Sequence, residues 1–243
     1  MNLIKVGRAV SKYGKKTISL SDDNDDIKTY EHIVSKGDEK LEYLPNSETR
    51  DVIYCCGPSG SGKSYYIASY CEKYHTLHKR NKVYLFSECT EDPVFDKKKY
   101  INRILIDDEL LEDKIEWDEF ADCLCIFDDI DALSGKYKKY ITELKNKLLK
   151  NSRKNSVSVI VSNHNCTDGH DTKSTLNESN VIVFFMLNYN RGIKYLLESY
   201  IGMDKRGIEK LRKLKTRSIT YIKSYPNLLL SDYEVGTINF YNS

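Results

Sequence analysis

The chain has 243 residues, with 38 Lys and Arg against 36 Asp and Glu, and a formal net charge of +2. This length allows one complete α/β domain with a sizeable core, and so small a net charge does not by itself indicate nucleic-acid binding. No stretch approaches the roughly eighteen consecutive apolar residues of a membrane-spanning helix, and the basic stretch 1–19 lacks the apolar core of a signal peptide.

Residues 1–48 lack strong periodicity and are predicted to form an N-terminal extension, with two short strands. From residue 49 onward, short apolar runs alternate with helical segments. The predicted strands are Val52–Cys56, Lys82–Ser87, Ile101–Ile106, Cys123–Phe127, Val157–Val161 and Val181–Phe185. The predicted helices between them are Tyr65–Lys79, Asp108–Phe120 and Tyr137–Asn151. This alternation is typical of an α/β fold with a mostly parallel central sheet flanked by helices.

The pattern changes after residue 190, within what we treat as one domain of residues 49–243. Ile193–Ile201 and Lys205–Leu214 are predicted helices, the second of them rich in basic residues. Arg217–Lys223 and Leu228–Leu230 are predicted to form a hairpin or edge strands that close the domain.

The seven cysteines include no C-x-x-C pair, and several lie within the predicted buried strands. Cysteine serves there as a small apolar residue. We therefore expect reduced thiols in a cytosolic compartment, with neither disulfides nor zinc.

The strongest motif is residues 57–64, which fit the phosphate-loop pattern G-x-x-x-x-G-K-[ST] between a predicted strand and a predicted helix. Its members are Gly57, Pro58, Ser59, Gly60, Ser61, Gly62, Lys63 and Ser64. The glycines allow backbone N–H groups to point at an anion, and the start of the helix adds the positive end of its dipole. Lys63 would neutralise the β- and γ-phosphates of a nucleoside triphosphate, and Ser64 would ligate Mg²⁺.

Two acids end the apolar strand Cys123–Phe127. Asp128 occupies the position at which phosphate-loop proteins hold Mg²⁺, and Asp129 is the candidate to orient the attacking water or accept its proton. Asp131 is the alternative for this second role. Two strand candidates lie between the phosphate loop and this acid pair, an arrangement that indicates the additional-strand (RecA-like) class of phosphate-loop NTPases.

Polar residues also follow the strand Val157–Val161, where the sequence reads Ser-Asn-His-Asn from Ser162. In the additional-strand class, a polar side chain at this strand end senses the γ-phosphate or positions water. Asn163 and His164 are both candidates for this role, and the sequence does not choose between them.

The phosphate loop, Asp128-Asp129, the basic helix ending Asn-Ser-Arg-Lys at 151–154 and the strand leading to Ser162 occur in that order. Together they resemble the viral genome-packaging ATPases of the FtsK/HerA superfamily, the poxvirus-like enzymes shared by large DNA viruses and virophages. The resemblance covers residues 48–230. One departure is that many relatives have Glu or Gln where this chain has Asp129 and Asn163 or His164.

The resemblance implies ATP-driven translocation of double-stranded DNA into a preformed capsid by a homo-oligomeric ring. It implies ATP and Mg²⁺ as cofactors, capsid vertex proteins as partners, and a location in the host cytoplasm at the viral factory or with the virion. Two alternatives are a nucleotide-dependent assembly or chaperone-type factor that binds no DNA, and a helicase-like motor on single strands.

Basic residues extend the list of candidates. Lys136, Lys138 and Lys139 are candidates for contact with DNA phosphates. Arg153 is the candidate for an arginine that reaches the phosphate loop of a neighbouring subunit in a ring, and Arg217 is its rival.

Overall fold

A computed structural model describes residues 3–11, 14–21, 32–35, 40–167, 169–224 and 226–243 of the chain. The strands are β1 (Leu3–Ser11), β2 (Gly14–Ser21), β3 (His32–Val34), β4 (Lys40–Glu42), β5 (Val52–Cys56), β6 (Lys82–Ser87), β7 (Ile101–Leu105), β8 (Cys123–Phe127), β9 (Ser158–Asn163), β10 (Val181–Phe184), β11 (Ile219–Ile222), β12 (Leu228–Leu230) and β13 (Glu234–Thr237). The α-helices are α1 (Lys63–Leu77), α2 (Asp108–Glu112), α3 (Gly135–Asn151), α4 (Gly169–Glu178), α5 (Arg191–Tyr195), α6 (Lys205–Lys213) and α7 (Ile238–Asn242).

The chain divides into two compact units, Pro45–Asn180 and the combination of Met1–Leu44 with Val181–Ser243. The first unit contains five parallel strands in the order β5-β9-β8-β6-β7. All residues of β5, β8 and β9 are buried, as expected for parallel strands covered on both faces. The predicted α/β class with a mostly parallel sheet flanked by helices is confirmed.

The second unit is antiparallel. It contains the pairings β10-β11, β11-β12, β12-β13 and β13-β3, and a separate sheet in the order β2-β1-β4. The predicted closing hairpin is confirmed by the pairing of β11 with β12. The elements β13 and α7 were not predicted from the sequence. α5 continues as a π-helical turn, Leu196–Ile201.

The helix predicted over Asp108–Phe120 is wrong in its extent, because α2 ends at Glu112 and a separate 3₁₀ turn covers Trp117–Glu119. The helix dipole favours acids in the first turn of a helix, where α2 carries its own, and disfavours acids at the carboxyl end. Instead, Glu116 begins a new turn, in which its backbone N–H donates to Glu119 Oε1 at 2.7 Å.

The amphipathic helix α3 begins earlier than predicted, at Gly135, and its buried residues include Ile141, Leu144 and Leu148, spaced three and four apart on one face. Its carboxyl end is capped from outside the helix. Arg50 donates through Nη1 to Leu148 O at 3.0 Å and through Nη2 to Leu149 O at 2.5 Å. The last carbonyl groups of a helix have few partners within it. Leu148 O also accepts from Ser152 N at 3.3 Å, and the guanidinium adds a bond to it and one to Leu149 O.

The cysteines are almost all core residues. Cys55, Cys56, Cys71, Cys123, Cys125 and Cys166 are buried, and Cys89 is exposed. Burial raises the pKa of the thiols of Cys55, Cys71 and Cys125, because a thiolate loses its hydration there. No helix in the described part of the chain combines the length and apolar character needed to cross a membrane.

Parallel strands bring their carboxyl ends to one edge of a sheet. At this edge, β5 leads into the phosphate loop, β8 leads into the acids 128–131, and β9 ends at Asn163. β9 separates β5 from β8 in the sheet. The three candidate motifs therefore come from three adjacent strands.

Candidate functional site

The phosphate loop joins β5 to α1, which begins at Lys63. Gly60 has φ +74° and Gly62 has φ +112°, values that strain any residue with a side chain. The loop is closed on itself by a bond from Ser61 N to Pro58 O at 3.1 Å and is fixed to β9 by a bond from Gly57 N to Asn163 O at 3.1 Å. Such a loop at the start of a helix presents backbone N–H groups to an anion.

Lys63 is 6% exposed, and its ammonium group has two partners in the site. Nζ donates to Gly57 O at 3.0 Å and lies 3.3 Å from Asp129 Oδ1. A buried ammonium group needs such partners, because burial without them is costly. A phosphate group in the loop would offer oxygens to the same ammonium group, so this ion pair links the phosphate site directly to the acid at the end of β8.

Asp128 follows β8 and carries a carboxylate oxygen that lacks a partner. Its Oδ1 is buried and accepts no hydrogen bond from any group in the described part of the chain. Burial, together with the neighbouring charge of Asp129, raises the pKa of the Asp128 carboxyl to about 6. Both effects oppose the isolated negative charge, and a bound cation would stabilise it. The unpartnered oxygen fits the predicted role of Asp128 as a Mg²⁺ ligand beside Ser64.

Asp129 adopts φ +47°, a left-handed backbone conformation that aspartate tolerates better than most residues. This conformation accompanies a well-defined set of side-chain contacts. Oδ1 accepts a hydrogen bond from the hydroxyl group of Ser162, with 3.0 Å between the two oxygens, in addition to its contact with Lys63. Oδ2 lies 3.3 Å from His164 Nε2. The side chain is 37% exposed, so water can reach it.

Asp131, the alternative water-side acid, is held differently. Its side chain is 8% exposed, and its Oδ2 accepts from the backbone N–H groups of His164 at 2.8 Å and Asn165 at 3.3 Å. Its Oδ1 lies 3.3 Å from His164 Nδ1. Both oxygens are occupied by the chain that follows β9, whereas Asp129 contacts the phosphate-loop lysine. The geometry therefore favours Asp129 over Asp131 for a role next to the phosphates.

The two sensor candidates both lie at the site, with different neighbours. Asn163 is 7% exposed, and its Oδ1 has no hydrogen-bond partner among the described residues. Close to Asn163, the hydroxyl of Tyr54 donates to Asn165 O at 2.6 Å. His164 instead lies between Asp129 and Asp131. Tyr54 was not predicted as part of the site, because a tyrosine in an apolar strand carries no signal of a polar contact.

Asp129, Asp131 and His164 place possible metal-ligating atoms within 4.8 Å of one another. The two ring nitrogens of His164, however, face different carboxylates, each at 3.3 Å. One metal ion binds only one nitrogen of an imidazole. We therefore interpret the three side chains as a hydrogen-bonded series and assign them no metal ion.

The remaining basic candidates are described one by one. Lys136 forms an ion pair with Asp108 and lies 5.3 Å from the centre of the Tyr137 ring. Arg153 is exposed, follows the end of α3, and forms no hydrogen bond or ion pair through its side chain with the described residues. Arg217 is exposed and lies two residues before β11.

The fold, the phosphate loop and the acid pair define the chain as a phosphate-loop ATPase of the additional-strand class. In sequence it is 36% identical over 231 residues to the uncharacterized protein V3 of Sputnik virophage, a match that covers 94% of this chain and 91% of that protein. The chain belongs to the same family as this virophage protein. No family model matches the sequence.

Solved structures with this fold include the genome-packaging NTPase B204 of Sulfolobus turreted icosahedral virus 2. Its complex with AMP superposes with a TM-score of 0.55 at 16% identity, covering 77% of this chain and 98% of B204. The conjugation coupling protein TcpA of pCW3, crystallised with ATPγS, has a TM-score of 0.52 at 13% identity, covering 95% of this chain and 77% of TcpA. The predicted resemblance to viral packaging ATPases is confirmed at the level of the fold, and the predicted relation to virophage proteins is confirmed by the match in sequence.

Proposed function

We propose that this protein is an ATP-hydrolysing motor that moves double-stranded viral DNA into a preformed capsid. The single observation that carries the proposal is the contact between Lys63 of the phosphate loop and Asp129 after β8, at 3.3 Å. It joins a phosphate-binding element to an acid that can activate water. The fold shared with the packaging NTPase B204 supports the choice of DNA packaging as the work that hydrolysis drives.

In this mechanism, the backbone N–H groups of residues 57–64 bind the phosphates, and Lys63 exchanges its contact with Asp129 for the β- and γ-phosphate oxygens. Ser64 and Asp128 would hold Mg²⁺, which when bound neutralises phosphate charge. Asp129, released from Lys63, orients a water molecule toward the γ-phosphorus and accepts its proton. Ser162 and His164 keep the carboxylate of Asp129 in place through their contacts with Oδ1 and Oδ2.

The proposed DNA contact lies on α3, which follows the acids of the site in the chain. Lys136, Lys138 and Lys139 stand in its first turns. An open groove of about 670 Å³ runs along the same helix, and four of its lining residues are lysines: Lys138, Lys139, Lys147 and Lys150. The ion pair of Lys136 with Asp108 is exposed. Exposed ion pairs contribute little to stability, so this one does not prevent a contact with phosphate.

The test is the ATPase rate with and without duplex DNA, together with duplex affinity at several salt concentrations. We expect duplex DNA to stimulate hydrolysis and its affinity to fall steeply with salt, with little sequence preference. Replacing Lys136, Lys138 and Lys139 together by glutamine should reduce the slope of log affinity against log salt by about 0.9 for each phosphate that the variant no longer neutralises. Basal ATP binding should not change.

A matched control replaces Lys97, Lys98 and Lys99, a second set of lysines in a loop outside α3, by glutamine. An unchanged slope in the α3 variant would contradict the DNA contact. An ATPase rate that does not change when DNA is added would favour the assembly-factor alternative, and a preference for single-stranded DNA would favour a helicase-like motor.

We further propose that the motor is a homo-oligomeric ring at a capsid vertex. It would act in the host cytoplasm, at the viral factory or with the virion. In this ring, Arg153 completes the site of the neighbouring subunit. A basic residue at this position could instead cap the negative end of α3, but the carbonyl groups of Leu148 and Leu149 there accept hydrogen bonds from Arg50 and not from Arg153. An exposed guanidinium without a partner in its own described chain is suited to a heterologous contact around a ring. Such an arginine increases phosphoryl-transfer rates by roughly 10³–10⁵-fold where it has been measured.

Mixed rings test this assignment. An Arg153→Ala protein should hydrolyse ATP poorly alone and regain turnover when mixed with a Lys63→Ala protein that retains Arg153. Each rescued interface would combine an intact phosphate loop with an intact arginine from its neighbour. Absence of rescue in rings shown to be mixed would transfer the role to Arg217, and the same experiment with Arg217→Ala is the control.

A further inference from the structure

Asp131 is one of the most firmly held side chains of the site, although the proposed mechanism gives it no chemical step. Its Oδ2 accepts from the backbone N–H groups of His164 and Asn165, at 2.8 and 3.3 Å. These two bonds fix the first residues after β9. The carboxylate thus determines where the chain runs as it leaves the strand.

The other oxygen of Asp131 acts on the imidazole ring of His164. Oδ1 lies 3.3 Å from Nδ1, and Nε2 on the opposite side of the ring lies 3.3 Å from Asp129 Oδ2. An ionised carboxylate only accepts hydrogen bonds. The contact with Asp131 therefore requires a hydrogen on Nδ1. The same rule applies on the other side of the ring, where Nε2 can hold the facing oxygen of Asp129 only when Nε2 also carries a hydrogen.

We propose that Asp131 is a positioning residue, which holds His164 with its hydrogen on Nδ1 and its Nε2 directed at Asp129. His164 then contacts Asp129, the water-side acid, directly, and of the two candidates at the end of β9 it takes the sensor role. Asn163 makes no such contact: its backbone O accepts from Gly57 N, and its buried side-chain Oδ1 has no hydrogen-bond partner among the described residues. The inference rests on the proposed function, since it needs Asp129 to act on water.

When a nucleotide binds, its phosphate oxygens replace Asp129 as the partner of Lys63. Asp129 then retains two neighbours, Ser162 on Oδ1 and His164 on Oδ2. A histidine fixed by Asp131 restricts the rotation of the carboxylate after its ion pair with Lys63 is broken. For metal-ligating histidines, loss of the partner that orients the ring changes activity by about 10–100-fold, and we expect an effect of that size here.

The variant Asp131→Asn tests the orientation of the His164 ring separately from the anchoring of the chain after β9. Its amide oxygen can still accept from the two backbone N–H groups, while its NH₂ group would face His164 Nδ1 and donate to it. Nδ1 would then accept a hydrogen bond and carry no hydrogen itself. We expect a folded protein that binds ATP with unchanged affinity and shows a kcat about 10–100-fold lower.

The ring hydrogen is measured directly by ¹⁵N NMR of histidine-labelled protein. The chain has five histidines, and His164→Gln identifies the signals of His164 by their disappearance. In the parent protein Nδ1 should give the signal of a protonated nitrogen, and in Asp131→Asn that of a nitrogen without hydrogen. Asp107→Asn is the matched control, because Asp107 also accepts a backbone N–H, from Leu110 at 3.1 Å, outside the site.

A double-substitution cycle provides the second readout. Because Asp131 acts through His164, Asp131→Asn combined with His164→Gln should lower kcat no further than His164→Gln alone. Additive reductions, an unchanged kcat in Asp131→Asn, or unchanged His164 nitrogen signals would each overturn the inference. The nitrogen signals do not depend on turnover, so an inactive parent protein would contradict the proposed function and leave this readout intact.

Discussion

Lys63→Ala is expected to abolish ATP hydrolysis, with a reduction of at least about 10²–10³-fold in kcat. The ammonium group of Lys63 is 6% exposed and lies where the phosphate loop meets the acid after β8. In so buried a place, no water or neighbouring lysine can supply its charge to the phosphates. Nucleotide affinity should fall as well, because in the proposed mechanism Lys63 contacts the phosphates before and during the reaction.

ATP turnover and the binding of a fluorescent ATP analogue measure the two effects separately. Lys73→Ala is a suitable control, since Lys73 lies on the same helix α1 and donates to Ser69 Oγ at 3.0 Å, away from the loop. Circular dichroism checks that the variant folds, because the substitution removes a counterion from Asp129. A Lys63→Ala protein that is folded and hydrolyses ATP normally would contradict the assignment of the phosphate loop.

Asp129→Asn is expected to bind ATP and stop before cleavage, with kcat lower by about 10²–10⁴-fold. The amide keeps the shape of the side chain and removes the basic oxygen. Asparagine also tolerates the left-handed backbone that residue 129 adopts at φ +47°. The reduction should therefore come from chemistry and not from backbone strain.

Asp122→Asn is the matched control, because Asp122 is exposed and also has a left-handed backbone, at φ +44°, outside the site. Single-turnover hydrolysis and ATP affinity should both be measured. If Asp129→Asn turned over at the parent rate, the water-side role would belong to another residue, and Asp131 would be the next candidate.

The elements of the parallel sheet could be predicted because each has a local sequence pattern. β6 and β8 have the bounds predicted from the sequence, and the phosphate loop has a pattern set by its own backbone geometry. The acid pair could be placed for the same reason, since the residue after a buried strand lies at the edge of the sheet. These signals need no knowledge of distant contacts.

Other features depended on contacts between parts of the chain far apart in sequence. Nothing local distinguishes Asp131 from Asp129 until the backbone N–H groups of His164 and Asn165 are seen on Asp131. The helix α4 was missed because its buried face includes Thr172 and Thr175, which do not form an apolar periodic pattern. The length of α2 was overestimated because no glycine or proline directly after Glu112 indicates in the sequence that the helix ends there.

The distribution of thiols gives the protein a natural attachment point for a probe. Cys89 is the exposed member of the seven cysteines, and the other six are enclosed in the core. Thiols react with maleimides as thiolates and only where reagent can reach them, so burial protects the six and leaves Cys89 open to labelling. Cys89 follows β6, whose carboxyl end belongs to the same edge of the parallel sheet as the phosphate loop. A dye can therefore be placed on the unaltered protein, so that the movement along a duplex that we propose can be tested one molecule at a time.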